Sequence, residues 1–344
     1  MKKQLLITTA SLLWIALAAT VSVAKVSHPH KTQIANHPTA LEIVEAREMK
    51  FLIDPAKVGY EADKGLALIW DKVKEFAQKE NFTVQEKSFD PSGLTYSTKV
   101  YYDTPKGELA SLGYVVRITT KYKGGNPDSA KLTVKFIDRD HPERVFTSMP
   151  DEEEASVEEN VGPAANYTLD TYLEKATKAS VDLKNLPVTL GDFAAFMPLL
   201  GELGINSTTK LEGVGAYSVR MKPGAVILPG MPFPAGISME AWMPVEGDNK
   251  AFVYDFSFGY PTGDYYDMEK THITAEDIIQ KMYEQMDEEM GLPNNAAYRG
   301  SKVGYLRKGG LKLDKYTEPK ADTRYYKAPK QAPAGAAAFN DDPS

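Results

Sequence analysis

The stretch from Tyr101 to Phe136 constrains the fold of this chain more than any other. It reads YYDTP, then GYVVRIT, then KLTVKF: three short extended segments that carry lone basic residues. Alternate residues of a strand share a face. Arg117, Thr119 and Lys121 therefore oppose Tyr114, Val116 and Ile118, and Lys131, Thr133 and Lys135 oppose Leu132, Val134 and Phe136. The same alternation recurs elsewhere. Glu48 and Lys50 oppose Met49, Phe51 and Ile53; Ser218, Arg220 and Lys222 oppose Tyr217, Val219 and Met221. Glu240 opposes Met239, Ala241 and Met243, and Asp255 with Ser257 opposes Tyr254, Phe256 and Phe258. Two architectures satisfy the pattern. An antiparallel sheet can bury its apolar face and leave the charged one in water. Alternatively, helices cover the apolar face and the sheet curls until the charged face lines a lumen.

The chain has 344 residues, of which 42% are hydrophobic, enough for a sizeable core. A formal net charge of -7 argues against a general nucleic-acid or anionic-membrane binder. Any anion site must then be a local gathering of Lys and Arg within an acidic shell. There is no cysteine, so disulfides and thiol chemistry are excluded. No convincing Ser-His-acid set or zinc site stands out.

Residues 1–24 are expected to be an export signal. Lys2 and Lys3 precede an apolar run from Leu5 to Val21, and Ser22-Val23-Ala24 supplies small residues for cleavage. A periplasmic or secreted bacterial location follows, with no stable membrane span after cleavage. Residues 25–42 read as a flexible leader containing His28, His30 and His37. The main domain is expected over 43–316, with an acidic and helical insertion at about 140–205, and a disordered tail over 317–344. Within it, Ala62–Glu80 predicts an amphipathic helix through Leu66, Ile69, Trp70, Val73, Phe76 and Ala77. PDEEEASVEENV at Pro150–Val161 reads as a solvated acidic run, followed by helices at about 168–183 and 190–204. Thr274–Met290 predicts a further helix, stopped by Gly291 and Pro293.

In their order, the motifs resemble those of the CYTH superfamily, the triphosphate tunnel metalloenzymes. That family shows an ExExK strand, a YYDT-like strand, LRIR-like and LTLK-like strands, then a helix, a GL turn and an SK-x-Y segment. Here those places hold Ala46-Arg47-Glu48-Met49-Lys50, Tyr101-Tyr102-Asp103-Thr104, Val116-Arg117-Ile118-Thr119, Leu132-Thr133-Val134-Lys135 and EEMGLPNNAAYRGSKVGYL with Lys302. The resemblance spans roughly residues 43 to 308. It implies an α+β fold: a closed or nearly closed antiparallel β-barrel, a tunnel, with helices packed outside. Three charged positions of the family are neutral in this chain: Ala46, Thr119 and Ser257.

The resemblance also implies roles. Lys50, Arg117, Lys135, Arg220 and Lys302 would grip a small polyanion such as tripolyphosphate, with Lys131 and Lys210 as lesser candidates. Arg suits phosphate through bidentate hydrogen bonds, Lys as a point charge. Glu48, Glu240 and Asp255 would hold Mg²⁺ or Mn²⁺, and Glu48 with Lys50 would serve catalysis. Asp103 is expected to shape a turn with Thr104 and Pro105 instead. Three functions stay open: a metal-dependent triphosphatase, a polyanion binder that has lost catalysis, and a non-enzymatic interaction protein. Nucleic acid is not an expected partner.

Overall fold

The computed structural model describes residues 31–33, 41–44, 46–86, 93–149, 155–163, 169–227, 234–261, 302–307, 311, 313–316 and 318–321. The export signal, His28, His30, His37, the helix expected at Thr274–Met290 and nearly all of the tail lie outside them. The strands in chain order are β1 (Lys31–Gln33), β2 (Leu41–Ile43), β3 (Ala46–Ile53), β4 (Thr83–Glu86), β5 (Thr95–Asp103), β6 (Tyr114–Lys123), β7 (Asn126–Phe136), β8 (Ser156–Pro163), β9 (Leu169–Val181), β10 (Glu212–Met221), β11 (Gly224–Ile227), β12 (Ala235–Met243), β13 (Val253–Pro261) and β14 (Asp314–Lys315). The helices are α1 (Pro55–Val58), α2 (Ala62–Lys79), α3 (Glu108–Ser111), α4 (Arg144–Thr147), α5 (Leu190–Phe196) and α6 (Lys302–Arg307), with a 3₁₀ turn at Pro198–Glu202. β1 and β2 pair with each other, so part of the expected leader is a small ladder.

Nine strands close into a barrel in the order β10-β5-β6-β7-β9-β8-β3-β13-β12, and β12 pairs back onto β10. β11 and β4 extend the sheet from β12, and β14 adds to β10. The ring is mixed, not wholly antiparallel: β3 and β8 run parallel. An odd number of strands cannot alternate direction all the way round a closed ring, so one parallel pair is forced.

Helices cover the outer apolar faces, because those faces have no other way to leave water. α2 buries Leu66, Ile69, Trp70, Val73, Phe76 and Ala77, the stripe its sequence announces. It packs over the outward residues of β3, β10, β12 and β13, including Met49, Phe51, Val219, Met239 and Phe256. A second outer core joins Val116, Ile118, Leu132 and Val134 to α5 and the 3₁₀ turn through Leu190, Phe193, Leu199 and Leu200. Asp103 works as a structural acid. Its Oδ1 accepts from the Thr104 and Leu109 amides at 2.7 and 2.9 Å, and its Oδ2 from Ala110 at 3.1 Å, tying the end of β5 to α3.

Two expectations fail in the middle of the chain. The acidic run continues as β8, and the helix expected at about 168–183 is β9. The insertion is thus narrower than 140–205, because both segments are barrel walls. Leu169, Tyr172, Leu173 and Ala176 have helical spacing, and Leu, Glu, Lys and Ala are good helix formers. Tertiary burial overrides that preference: residues 172–177 are all buried, on both faces of the strand. The helix expected over 190–204 is present as α5 and the 3₁₀ turn.

Candidate functional site

The inward faces of the strands surround one cavity of about 920 Å³. Glu48, Lys50, Arg117, Lys135, Arg220, Glu240, Asp255 and Lys302 all line it. The structure thus brings together every residue of the main expected set. Lys131 and Lys210 are exposed and stand apart from it, as does Glu212.

Among the described residues the cavity meets apolar side chains at one end and charged ones at the other. At one end Leu52, Tyr101, Val115, Tyr172 and Trp242 gather with Val303 and Leu306 of α6 and with Leu311 and Leu313. This apolar floor closes the lumen among the described residues. At the other end Arg220, Lys222 and Lys178 are exposed around the mouth. Arg220 is held there by an Nε hydrogen bond to Ser238 Oγ at 2.9 Å.

Sequence reasoning missed several of the charges inside. Lys99, Glu158 and Glu174 line this interior, and the uncharged Trp242 sits in its apolar floor. Lys99 was legible, because Ser97, Lys99 and Tyr101 alternate against Thr98 and Val100. Glu158 and Glu174 were hidden by reading β8 as solvated and β9 as helical.

The lysines are clasped by carboxylates. Lys50 Nζ donates to Glu48 Oε2 at 2.8 Å. Lys135 Nζ donates to Glu174 Oε1. Lys99 pairs with Glu240 Oε1, while Lys302 Nζ donates to Glu240 Oε2 at 3.0 Å and also to Asp255 Oδ2. The lumen is therefore close to internally balanced instead of simply basic. Arg117 departs from this rule: its Nε is buried and meets no hydrogen-bond partner among the described residues. Its positive charge acts on both Lys99 and Lys135, so it lies between two other cations. β6 sets it opposite Tyr101 on one side and Thr133 on the other.

Ionisation follows burial and neighbours. Burial disfavours the Glu48 carboxylate, but the Lys50 ammonium outweighs it and brings Glu48 down to about 2. Burial likewise opposes charge on Glu240, yet Lys99 and Lys302 hold it well below the usual carboxylate range. Lys99 moves the other way. Burial lowers it to about 7, against the pull of Glu240 and with repulsion from Lys302 and Arg117. Burial opposes charge on Lys135 and Lys302, yet both are raised, Lys135 by Glu174 with Glu158 and Lys302 by Asp255 with Glu240. Glu158 is pushed up by burial and by the facing Glu174.

A hard divalent cation needs grouped oxygen ligands. No cluster of three acids or histidines able to hold one exists among the described residues. Glu48 sits opposite Gly259 while Asp255 sits opposite Leu52. The expected ligands are therefore roughly 13 Å apart along the barrel wall at the backbone. Glu240 and Asp255 do face each other, but the Lys302 ammonium lies between them. Glu48, Glu240 and Asp255 do not form one ligand set, and the residues present do not fit a resident divalent metal.

A barrel with greasy flanks under helices and ionic groups around a central bore defines the tunnel class of folds. A scan against protein-family models and a search of curated proteins return no match. Among solved structures the chain is similar to the adenylyl cyclase candidate HpAC1 of Hippeastrum, whose description reports a dominant triphosphatase activity. The two are 13% identical over 78% of this chain and 97% of that one, with a TM-score of 0.41. It is also similar to a candidate adenylate cyclase of Bacillus halodurans, at 12% identity over 76% and 95% of the two chains and a TM-score of 0.36. A Pyrococcus horikoshii protein matches at 14% identity over 76% and 99%, with a TM-score of 0.31. The fold itself is a closed mixed β-barrel with helices packed outside.

Proposed function

We propose that this chain is an exported protein that binds a short polyphosphate anion, tripolyphosphate being the simplest example, end-on in the lumen. The observation that carries the reading is Arg117. A guanidinium with an unmet Nε, set between the charges of Lys99 and Lys135, is a cation in want of an anion. Phosphate oxygens suit it, since a guanidinium fork can bind them bidentately. Lys50 and Lys302 extend the grip, and Arg220 with Lys178 and Lys222 at the mouth draw the anion in.

The apolar floor supports a ligand that enters by one end. A threaded polymer or a nucleic acid would need an exit, and Trp242, Tyr101 and α6 fill that place. Among the described residues no three acids group to hold a resident metal, which favours binding over hydrolysis. The ligand phosphates add to the carboxylates as partners of the lysines, since each ammonium has three protons to donate. The apolar run at Leu5–Val21 supports export, and fractionation of the native host would check the periplasmic or secreted location.

The direct test is calorimetric titration of tripolyphosphate into the purified protein. Saturable heat is expected, lost in the double variant Arg117→Ala, Lys135→Ala. No heat from the parent protein would refute the binding function and leave an interaction role. Phosphate release above that of a Glu48→Ala control, with Mg²⁺ or Mn²⁺ present, would restore the triphosphatase reading.

A further inference from the structure

The relevant geometry lies where β12 and β13 meet α6. Glu240 and Asp255 are directly opposed register partners on the inner face. Both are buried. Two like charges so placed repel each other and require a cation between them. Lys302 provides it, with one ammonium donating to Glu240 Oε2 at 3.0 Å and to Asp255 Oδ2.

This ammonium is built in. Lys302 opens α6, and the next residues of that helix, Val303 and Leu306, pack into the apolar floor. The Nζ lies 5.5 Å from the centroid of the Trp242 ring, which is fully buried. The floor contacts of Val303 and Leu306 fix the backbone from which the Lys302 side chain extends. Lys99 forms an ion pair with the second oxygen of Glu240, while Asp255 Oδ1 is buried with no hydrogen-bond partner among the described residues. Two ammoniums thus face two carboxylates, and the group is neutral when all four are charged. A divalent cation added here would leave surplus positive charge in a buried site, or would have to expel an ammonium into an apolar floor. Either is costly when charges lose their partners out of water. Of the remaining acids, Glu48 holds Lys50 and Glu174 holds Lys135, and Glu158, which faces Glu174, completes no three-acid metal cluster among the described residues.

We propose that this chain binds its polyphosphate without a divalent metal, the Lys302 ammonium standing between Glu240 and Asp255 where a metal would otherwise bridge them. The proposal rests on the reading that the lumen takes a polyphosphate, and it departs from the metal dependence that the family resemblance implies. Lys302, which lines the cavity, therefore orders the two carboxylates.

Two measurements on the full-length mature protein test it. First, tripolyphosphate is titrated by calorimetry in EDTA and again in Mg²⁺. Affinity in EDTA at least equal to that in Mg²⁺ is expected. Binding that requires Mg²⁺, or is tenfold or more tighter with it, a difference of about 1.4 kcal/mol, overturns the proposal. Absence of binding in both arms overturns the polyphosphate reading itself. Second, Mn²⁺ alone is titrated and followed by electron paramagnetic resonance. The parent protein is expected to show no tight Mn²⁺ site, and Lys302→Gln to gain one. A tight site in the parent protein overturns the proposal whatever the first measurement gives. Lys302→Gln that stays folded by circular dichroism yet gains no Mn²⁺ also counts against it, because the two freed carboxylates would then not want a metal.

Discussion

Lys99 on β5 and Glu240 on β12 form an ion pair across the inside of the barrel, reaching past the intervening strand β10. The two side chains are 10% and 4% exposed, so water cannot stand in for either partner. Glu240 also serves Lys302, so one carboxylate anchors two ammoniums. Removing it is expected to be far worse than removing an exposed acid. Glu240→Ala should lower unfolding free energy by about 3–5 kcal/mol, the range for breaking a buried pair by deleting one partner. Urea denaturation checks this. Lys99, already near 7, should lose its charge more readily in the variant, because the pull that opposed burial is gone.

Acid should unfold the barrel partly through Glu48. Its carboxyl lies at about 2 in the folded chain against 4.5 as the ordinary value, held down by Lys50, Lys135 and Ser257 against burial. A carboxyl that binds its proton less readily when folded contributes stability above its unfolded value, and that contribution fades as pH falls. The window here runs from about 4.5 down to about 2. Glu48→Gln should flatten the loss of stability across that window, as read by thermal melts at stepped pH. A parent protein whose melting temperature is level from pH 5 to pH 2 would contradict the assignment.

The outer seam between α2 and β13 makes a separate demand. Tyr254 Oη donates to the Gly59 and Glu61 carbonyls at 2.9 and 3.1 Å, so the ring lies directly under the helix start. A Cβ on Gly65 would come within 2.1 Å of that hydroxyl oxygen. Gly65→Ala removes a flexible helix residue, a change that is favourable by roughly 1 kcal/mol in an exposed helix. Here overpacking should reverse the sign, costing about 1–3 kcal/mol. Differential scanning calorimetry is the check, and polyphosphate binding should be unchanged at temperatures where the variant is folded.

How much of this was legible in the chain depends on whether a residue's neighbours in sequence were also its physical environment. The outward stripe of α2 and the two-residue alternation around Arg117, Lys135 and Arg220 are local, and the structure carries both. Closure was not local. Alternation alone allows a flat sheet wetted on one side, and only the β10–β12 pairing completes the ring. β9 was misread because its composition favours helix while its burial on two faces is set by distant strands. The surroundings of the expected metal ligands were not local either. Glu240 and Asp255 are acids in sequence, but the ammonium that occupies them arrives from α6, about fifty to sixty residues away.

The facing pair Glu158 and Glu174 gives the sharpest contrast between two like residues. They are direct register partners on β8 and β9. Glu174 is 3% exposed and bound to Lys135, which lowers it despite burial. Burial raises Glu158, the facing Glu174 and Glu48 raise it further, and Lys135 and Lys50 only partly oppose them. Neutralising each should therefore have opposite effects. Glu174→Gln leaves the Lys135 ammonium without its carboxylate, so it should destabilise the fold by about 1–3 kcal/mol, the usual cost of an unmet buried group. Glu158→Gln removes a negative charge that repels both Glu174 and an entering phosphate. It should leave the melting temperature equal or higher and tighten tripolyphosphate binding by about tenfold, if one neighbouring charge is worth about one pKa unit here. Paired calorimetric and melting measurements on the two variants decide it. Equal effects of the same sign would mean that the two carboxylates share one environment, and that Lys135 does not discriminate between them.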